Sequence, residues 1–117
     1  MVYFIRAKSY FKYAQDLFSS LKESQQRLPE EAFQKKAQEV VFTALKALWA
    51  LSQITPPEKS PDFEEVVENA LKGLSQENKQ FVKKLISQIK SNTKKEVIIS
   101  FIEKLLNLIQ EELKPIL

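Results

Sequence analysis

Apolar residues recur at alternating spacings of four and three along the first part of the chain. The main series is Tyr3, Ala7, Tyr10, Ala14, Leu17 and Leu21. This spacing places side chains on one face of an α-helix. A second row, Phe4, Phe11 and Phe18, lies beside the first and widens the apolar arc. The pattern predicts a first helix over residues 2–27 that touches two neighbouring helices.

The same spacing resumes after Pro29 and predicts a long second helix. Proline suits the first position of a helix because the N–H it lacks would have no partner there, and Glu30 and Glu31 complement the positive helix start. The apolar stripe is Phe33, Ala37, Val40, Ala44, Ala47, Leu51 and Ile54. We expect this helix at the centre of the fold, with its alanines packed closely against those of the first helix.

One clear loop follows, because residues 55–61 contain three prolines and proline cannot continue a helix. Asp62 with Glu65 resembles a capping box, and a start at Ser60 with Pro61 fits as well. Either start leads into a short acidic helix that runs to about Leu71.

A glycine and two capping sequences divide the rest of the chain. We expect Gly73 to end the short helix in a left-handed conformation. Ser75 can cap a fourth helix that runs to about Lys90. The fourth helix is expected to turn five residues inward, namely Phe81, Val82, Leu85, Ile86 and Ile89.

Thr93 and Glu96 fit a capping box for a fifth helix that ends near Leu113, before Pro115. No segment shows the alternation typical of a strand. The sequence therefore predicts an all-α fold, an up-and-down antiparallel bundle of four to five helices, in one domain over residues 1–117.

The predicted fifth helix has apolar residues on most of its circumference. One stripe is Ile98, Ile102, Leu105 and Ile109, and others are formed by Ile99, Leu106 and Leu113 and by Phe101 and Leu108. Such a terminal helix lies deep in its bundle or is covered by another chain, since large exposed apolar patches mark interaction sites. We expect burial by a homodimer or another protein, with Ile99, Leu106 and Leu113 as the candidate interface.

Composition excludes many kinds of active site. The chain has no cysteine, no histidine and one glycine, which excludes thiolate and Ser-His nucleophiles, zinc sites that need sulfur or histidine, and Gly-rich phosphate loops. The longest apolar run, residues 47–51, is far shorter than the roughly 20 residues of a membrane span. No secretory signal is evident. We expect a cytoplasmic protein with no metal, cofactor or membrane association and no catalytic residues.

The net charge of +3 includes one concentrated basic run. Its members are Lys79, Lys83, Lys84, Lys90, Lys94 and Lys95, with no acidic residue between the first and the last. Lys79, Lys83, Lys90 and Lys94 are the candidate contacts to phosphate or nucleic acid. A solvated face of two helices is the other interpretation, because the run contains no arginine and Phe81 is expected to be buried. The carboxylates of residues 62–68 fit helix-start electrostatics better than a magnesium site.

The second helix also carries a recognisable run of residues. Residues 37–48 read AQEVVFTALKAL, followed by Ile54-Thr55-Pro56-Pro57 and then by Asp62-Phe63. Over residues 37–68 this resembles the HEPN domain family, in which a segment of the type AQQAVEKALKAL precedes a double proline and a THDL step into a short helix. Gln38, Lys46 and Asp62 match the family pattern.

The resemblance implies a helical bundle, usually dimeric, that works beside a small nucleotidyltransferase, sometimes as the toxin of a toxin–antitoxin pair. Active members are ribonucleases whose motif is an arginine followed four to six residues later by a histidine. This chain has no histidine, and Pro61 and Phe42 stand where the family has a histidine and a glutamate. We therefore expect a non-catalytic, dimeric HEPN-like module that binds a nucleotidyltransferase or its nucleotide. The alternative is a degenerate ribonuclease relative that binds RNA through the lysine run.

Overall fold

A computed structural model describes residues 2–51, 62–91 and 94–116, and these residues form five α-helices and no strand. The helices are α1 (Val2–Ser24), α2 (Glu30–Leu51), α3 (Phe63–Leu71), α4 (Gln76–Ser91) and α5 (Lys95–Leu113), followed by a short 3₁₀ turn, Lys114–Ile116. The predicted all-α helical bundle is confirmed. Within the described ranges, no helix has the length and apolar character needed to cross a bilayer. The predicted loop at 55–61 and the side chains of Tyr3 and Phe4 lie outside the described residues.

Helix α2 is the centre of the bundle, as its apolar pattern predicted. It contacts each of the other four helices. Half of its residues are buried, including Trp49. The two rows of apolar residues explain this, because together they cover most of the helix circumference and require neighbours on several sides.

The most extensive helix contact joins α1 and α2, and small residues lie within it. Ala7 and Ala14 of α1 and Ala37, Ala44 and Ala47 of α2 are all fully buried. Helix α1 also contacts α5, which confirms the prediction of two neighbours. It ends at Ser24, three residues earlier than predicted, because the N–H groups of Arg27 and Leu28 turn back onto the Ser24 carbonyl at 3.0 and 3.1 Å.

Two of the three predicted side-chain caps, those of α3 and α4, are confirmed by their hydrogen bonds. The Glu65 N–H donates to Asp62 Oδ1 at 2.8 Å, and the Asn78 N–H donates to Ser75 Oγ at 3.2 Å. Helix α5 differs, because its N-cap is Lys94 and the side chain there makes no capping hydrogen bond. Thr93, the predicted cap, lies outside the described residues.

The turn between α3 and α4 corrects the prediction for Gly73. No described glycine has a positive φ, so Gly73 does not form a left-handed cap. The N–H of Lys72 donates to the Asn69 carbonyl at 3.4 Å, and that of Leu74 donates to the Leu71 carbonyl at 3.1 Å. These i to i+3 bonds tighten the helix end in the manner of a 3₁₀ turn. A right-handed turn therefore provides the backbone hydrogen bonds at the end of α3, and the left-handed conformation that favours glycine is not needed.

Helix α5 packs against α1, α2 and α4 and lies deep in the bundle. Its main stripe, Ile98, Ile102, Leu105 and Ile109, is fully buried. Leu106 and Leu113, two of the candidate interface residues, are core residues of the same chain. Only Ile99 of the three is partly exposed. An interface through Leu106 and Leu113 would therefore require α5 to leave the bundle.

Helix α4 buries fewer residues than predicted. Val82, Leu85 and Ile89 are in the core and Ile86 is half-buried, whereas Phe81 is 39% exposed. The prediction of an inward Phe81 is wrong, because successive residues of a helix point about 100° apart and Val82 already faces the core. One side of α4 is therefore free to carry polar and charged residues.

Candidate functional site

A groove of about 690 Å³ lies between α3 and α4, and we call it the α3/α4 groove. Helix α3 presents one face to it and α4 presents another. Its apolar base is Phe63, Val67, Leu71 and Ile86, and its polar lining is Glu64, Glu68, Lys72, Lys79, Lys83, Ser87 and Lys90. The groove therefore combines an apolar base with charged edges.

Three of the four lysines predicted as phosphate contacts meet in this groove. Lys79, Lys83 and Lys90 follow each other at spacings of four and seven on α4, which puts them on one helix face. Lys72, at the end of α3, joins them. Lys94 is exposed at the start of α5 and is not among the residues that line the groove.

The lysines of the groove outnumber its acidic residues. Glu64 and Glu68 lie on the α3 side, and the four lysines exceed them by two charges. None of the four lysines forms an ion pair with a carboxylate of the described residues. Their positive charge is thus available to an external anion.

A second cavity of about 540 Å³ adjoins the first, and we call it the α2/α4 pocket. Phe63, Ile86 and Lys90 line both cavities, so the two are neighbours along one surface. The remaining lining residues are Tyr13, Lys35, Gln38, Glu39, Val41, Phe42, Thr43, Lys46 and Ile89. Here too an apolar base is bordered by lysines.

Aromatic rings and ammonium groups alternate where the two cavities meet. The rings of Phe42 and Phe63 are tilted against each other with centroids 5.5 Å apart. Lys46 Nζ lies 4.7 Å from the Phe42 centroid and 5.7 Å from that of Tyr10. Lys90 Nζ lies 4.7 Å from the Phe63 centroid. These are cation–π distances, so the lysines are held over ring faces.

Part of this site was missed by the sequence analysis. Gln38 and Lys46, which match the HEPN pattern but are not among the predicted contacts, both line the α2/α4 pocket. Lys35 and Phe42 follow the same helix face, since positions 35, 38, 42 and 46 are spaced three, four and four. That spacing is the sequence signal that could have identified the α2 side of the α2/α4 pocket. Lys72 had no comparable signal, because only the docking of α3 brings it to the groove.

Asp62 and Lys95 have structural roles in the bundle. Asp62 caps α3, as predicted for a helix start. Lys95, although part of the basic run, is half-buried and donates to backbone carbonyls of the turn between α1 and α2. Among the described residues, no group of three acidic, histidine or cysteine side chains is arranged to hold a metal ion.

Comparison of the chain with protein-family models, curated proteins and solved structures gives no match. The HEPN resemblance therefore rests on the residues of α2 and the segment after it.

Proposed function

We propose that this protein is a non-catalytic binding module that takes up an anionic ligand in the α3/α4 groove. The observation that carries the proposal is the convergence of Lys72, Lys79, Lys83 and Lys90 on one groove without ion pairs to described carboxylates. Clustered charges of one sign within a concave surface raise the local concentration of oppositely charged ligands.

The HEPN resemblance adds a biological setting to this proposal. It implies a dimeric module that acts with a nucleotidyltransferase or its nucleotide substrate. Gln38 and Lys46, two residues of the resembling segment, line the α2/α4 pocket beside the groove. This position supports a binding role for the segment.

Amide chemical shifts of the ¹⁵N-labelled protein during titration with pyrophosphate test the proposal. We expect the shifts to concentrate on residues 63–72 and 79–90. The variant Lys79→Gln/Lys83→Gln/Lys90→Gln should lose them. A control of equal net charge is Lys8→Gln/Lys84→Gln/Lys104→Gln, since these lysines are exposed and do not line the groove. Equal shifts in both variants, or shifts spread over the whole surface, would contradict the proposal.

RNA binding is the second candidate, and the shared face of Lys79, Lys83 and Lys90 favours it. Each phosphate neutralised by a lysine releases counterions, so the logarithm of affinity falls linearly with the logarithm of salt concentration. With three lysines on single-stranded RNA the expected slope is about −2. Fluorescence anisotropy of a labelled single-stranded RNA at several salt concentrations measures it. A flat response would exclude this candidate.

A further inference from the structure

We infer that the occupant of the α3/α4 groove is an acidic amphipathic helix of a partner protein. This inference rests on the proposed function and narrows its ligand class. It is carried by the occupied faces of the aromatic rings, the apolar base of the groove and its dimensions.

The aromatic rings at the junction are poorly placed to stack on nucleic acid bases. Single-stranded nucleic acids gain much of their affinity by stacking bases on open aromatic faces. Here Lys46 Nζ lies over Phe42 and Lys90 Nζ over Phe63, both at 4.7 Å. Phe42 and Phe63 also pack against each other. A base that stacks on the covered face of either ring would have to displace an ammonium group, whereas an aliphatic side chain can pack against the ring edges.

The base of the groove favours apolar side chains. Phe63 and Val67 on the α3 side and Ile86 on the α4 side are only partly buried and line the groove. A phosphate group gains nothing from covering this surface, but an apolar side chain is stabilised by about 25 cal/mol for each Å² removed from water. An apolar centre surrounded by a charged rim is typical of a protein–protein interface.

The dimensions match a short helix. Lys79 and Lys90 are eleven positions apart on α4, which corresponds to about 16 Å along a helix axis. Three turns of a docked helix cover the same length and present apolar residues at i, i+3, i+4 and i+7. Beyond Phe63 the α2/α4 pocket offers further space for a side chain at the end of such a helix.

Charge sets the composition of the occupant and its orientation. Lys79, Lys83 and Lys90 border the α4 side, so acidic residues of the helix belong on that side. Glu64 and Glu68 border the α3 side and repel carboxylates there, and Lys72 adds one positive charge only at the C-terminal end of that side. The occupant is therefore acidic along one flank and neutral or basic along the other. Complementarity of this kind fixes orientation and partner choice.

A phage-displayed library of helical peptides about 15 residues long, enough for the three turns in the groove and about one further turn, provides the test. We expect enrichment of acidic peptides with apolar residues at helical spacing. These peptides should gain helical circular dichroism on binding. Their affinity should fall about tenfold or more in Lys79→Gln/Lys83→Gln/Lys90→Gln and in Ile86→Ser. The controls are Lys8→Gln/Lys84→Gln/Lys104→Gln and Leu17→Ser, since Leu17 is similarly half-buried but outside the groove.

Three results would overturn the inference. They are enriched peptides without acidic residues or helical spacing, no enrichment above a selection without the protein, and affinity that Ile86→Ser leaves unchanged. Tighter binding of a single-stranded RNA at the same lysines would assign the groove to nucleic acid instead. If pyrophosphate still shifts the groove amides, the proposed function survives and only the peptide inference fails. Loss of that response as well would overturn both.

Discussion

The Nζ atom of Lys95 lies 2.6 Å from the backbone oxygen of Leu28. Lys95 is the first residue of α5, and Leu28 belongs to the turn that joins α1 to α2. The same ammonium group also donates to the Gln25 carbonyl at 2.8 Å and lies 5.6 Å from the Phe33 ring centroid. One lysine thus fixes the start of the last helix to the turn between the first two.

Lys95→Met should reduce the free energy of unfolding by about 1–3 kcal/mol, because it removes two charge-assisted hydrogen bonds and leaves their carbonyls without this donor. Methionine keeps a long apolar side chain, so the loss reports mainly on the ammonium group. Urea unfolding followed by circular dichroism gives the value. Lys84→Met on exposed α4 surface is the matched control and should change stability by less than about 0.5 kcal/mol. Equal effects of the two substitutions would contradict this role for Lys95.

Gly73→Ala should stabilise the protein by about 0.4–1 kcal/mol. The backbone at Gly73 does not have a positive φ, and a Cβ atom there would meet no other atom within 4 Å. Alanine therefore fits the folded chain and reduces the conformational entropy of the unfolded one. The midpoint of urea unfolding should rise. A lower midpoint would show that this turn does require the left-handed conformation expected from the sequence.

Helical periodicity predicted the bundle well because its signal is local. The spacing of apolar residues in α1 and α2 identifies the core faces whatever the partner helix is. For α5 the sequence allowed two positions, because a helix with apolar residues on most sides can be buried within the bundle or can form an interface with another chain. The sequence could not decide between them, because the outcome depends on how many helices of the same chain surround α5.

The candidate site could be predicted only where it follows one helix. Lys79, Lys83 and Lys90 share a face by their spacing alone, and the structure places them together. Lys72 joins them because α3 and α4 both pack against α2, an arrangement that no local sequence pattern predicts. Lys95 was grouped with them by sequence proximity, yet its partner Leu28 is 67 residues away. Contacts over such distances depend on the completed fold.

Leu113→Ala should reduce the free energy of unfolding by about 2–5 kcal/mol, because it leaves a cavity in the core. Leu113 has no exposed surface, whereas Ile5 is 63% exposed. The control Ile5→Ala should therefore cost less than about 0.5 kcal/mol. The loss at Leu113 should be the same at low and high protein concentration. A loss that grows on dilution would show instead that this residue is covered by a second chain.

Replacement of the groove lysines should separate binding from folding. In Lys79→Gln/Lys83→Gln/Lys90→Gln, the free energy of unfolding should stay within about 0.5 kcal/mol of the parent value or rise, because no ion pair to a described carboxylate is broken and repulsion among like charges is relieved. The exception is the contact of Lys90 with Phe63 at 4.7 Å, worth about 0.5–1 kcal/mol at an exposed site.

The single variant Lys90→Gln measures that contact separately. Urea unfolding of the single and triple variants should therefore show that any destabilisation comes from position 90 alone. Lys79→Gln/Lys83→Gln should be neutral or stabilising. A clear destabilisation by this pair would mean that the two lysines support the packing of α4 in the bundle. In that case, loss of pyrophosphate shifts in the triple variant would have to be attributed to altered structure rather than to lost charge.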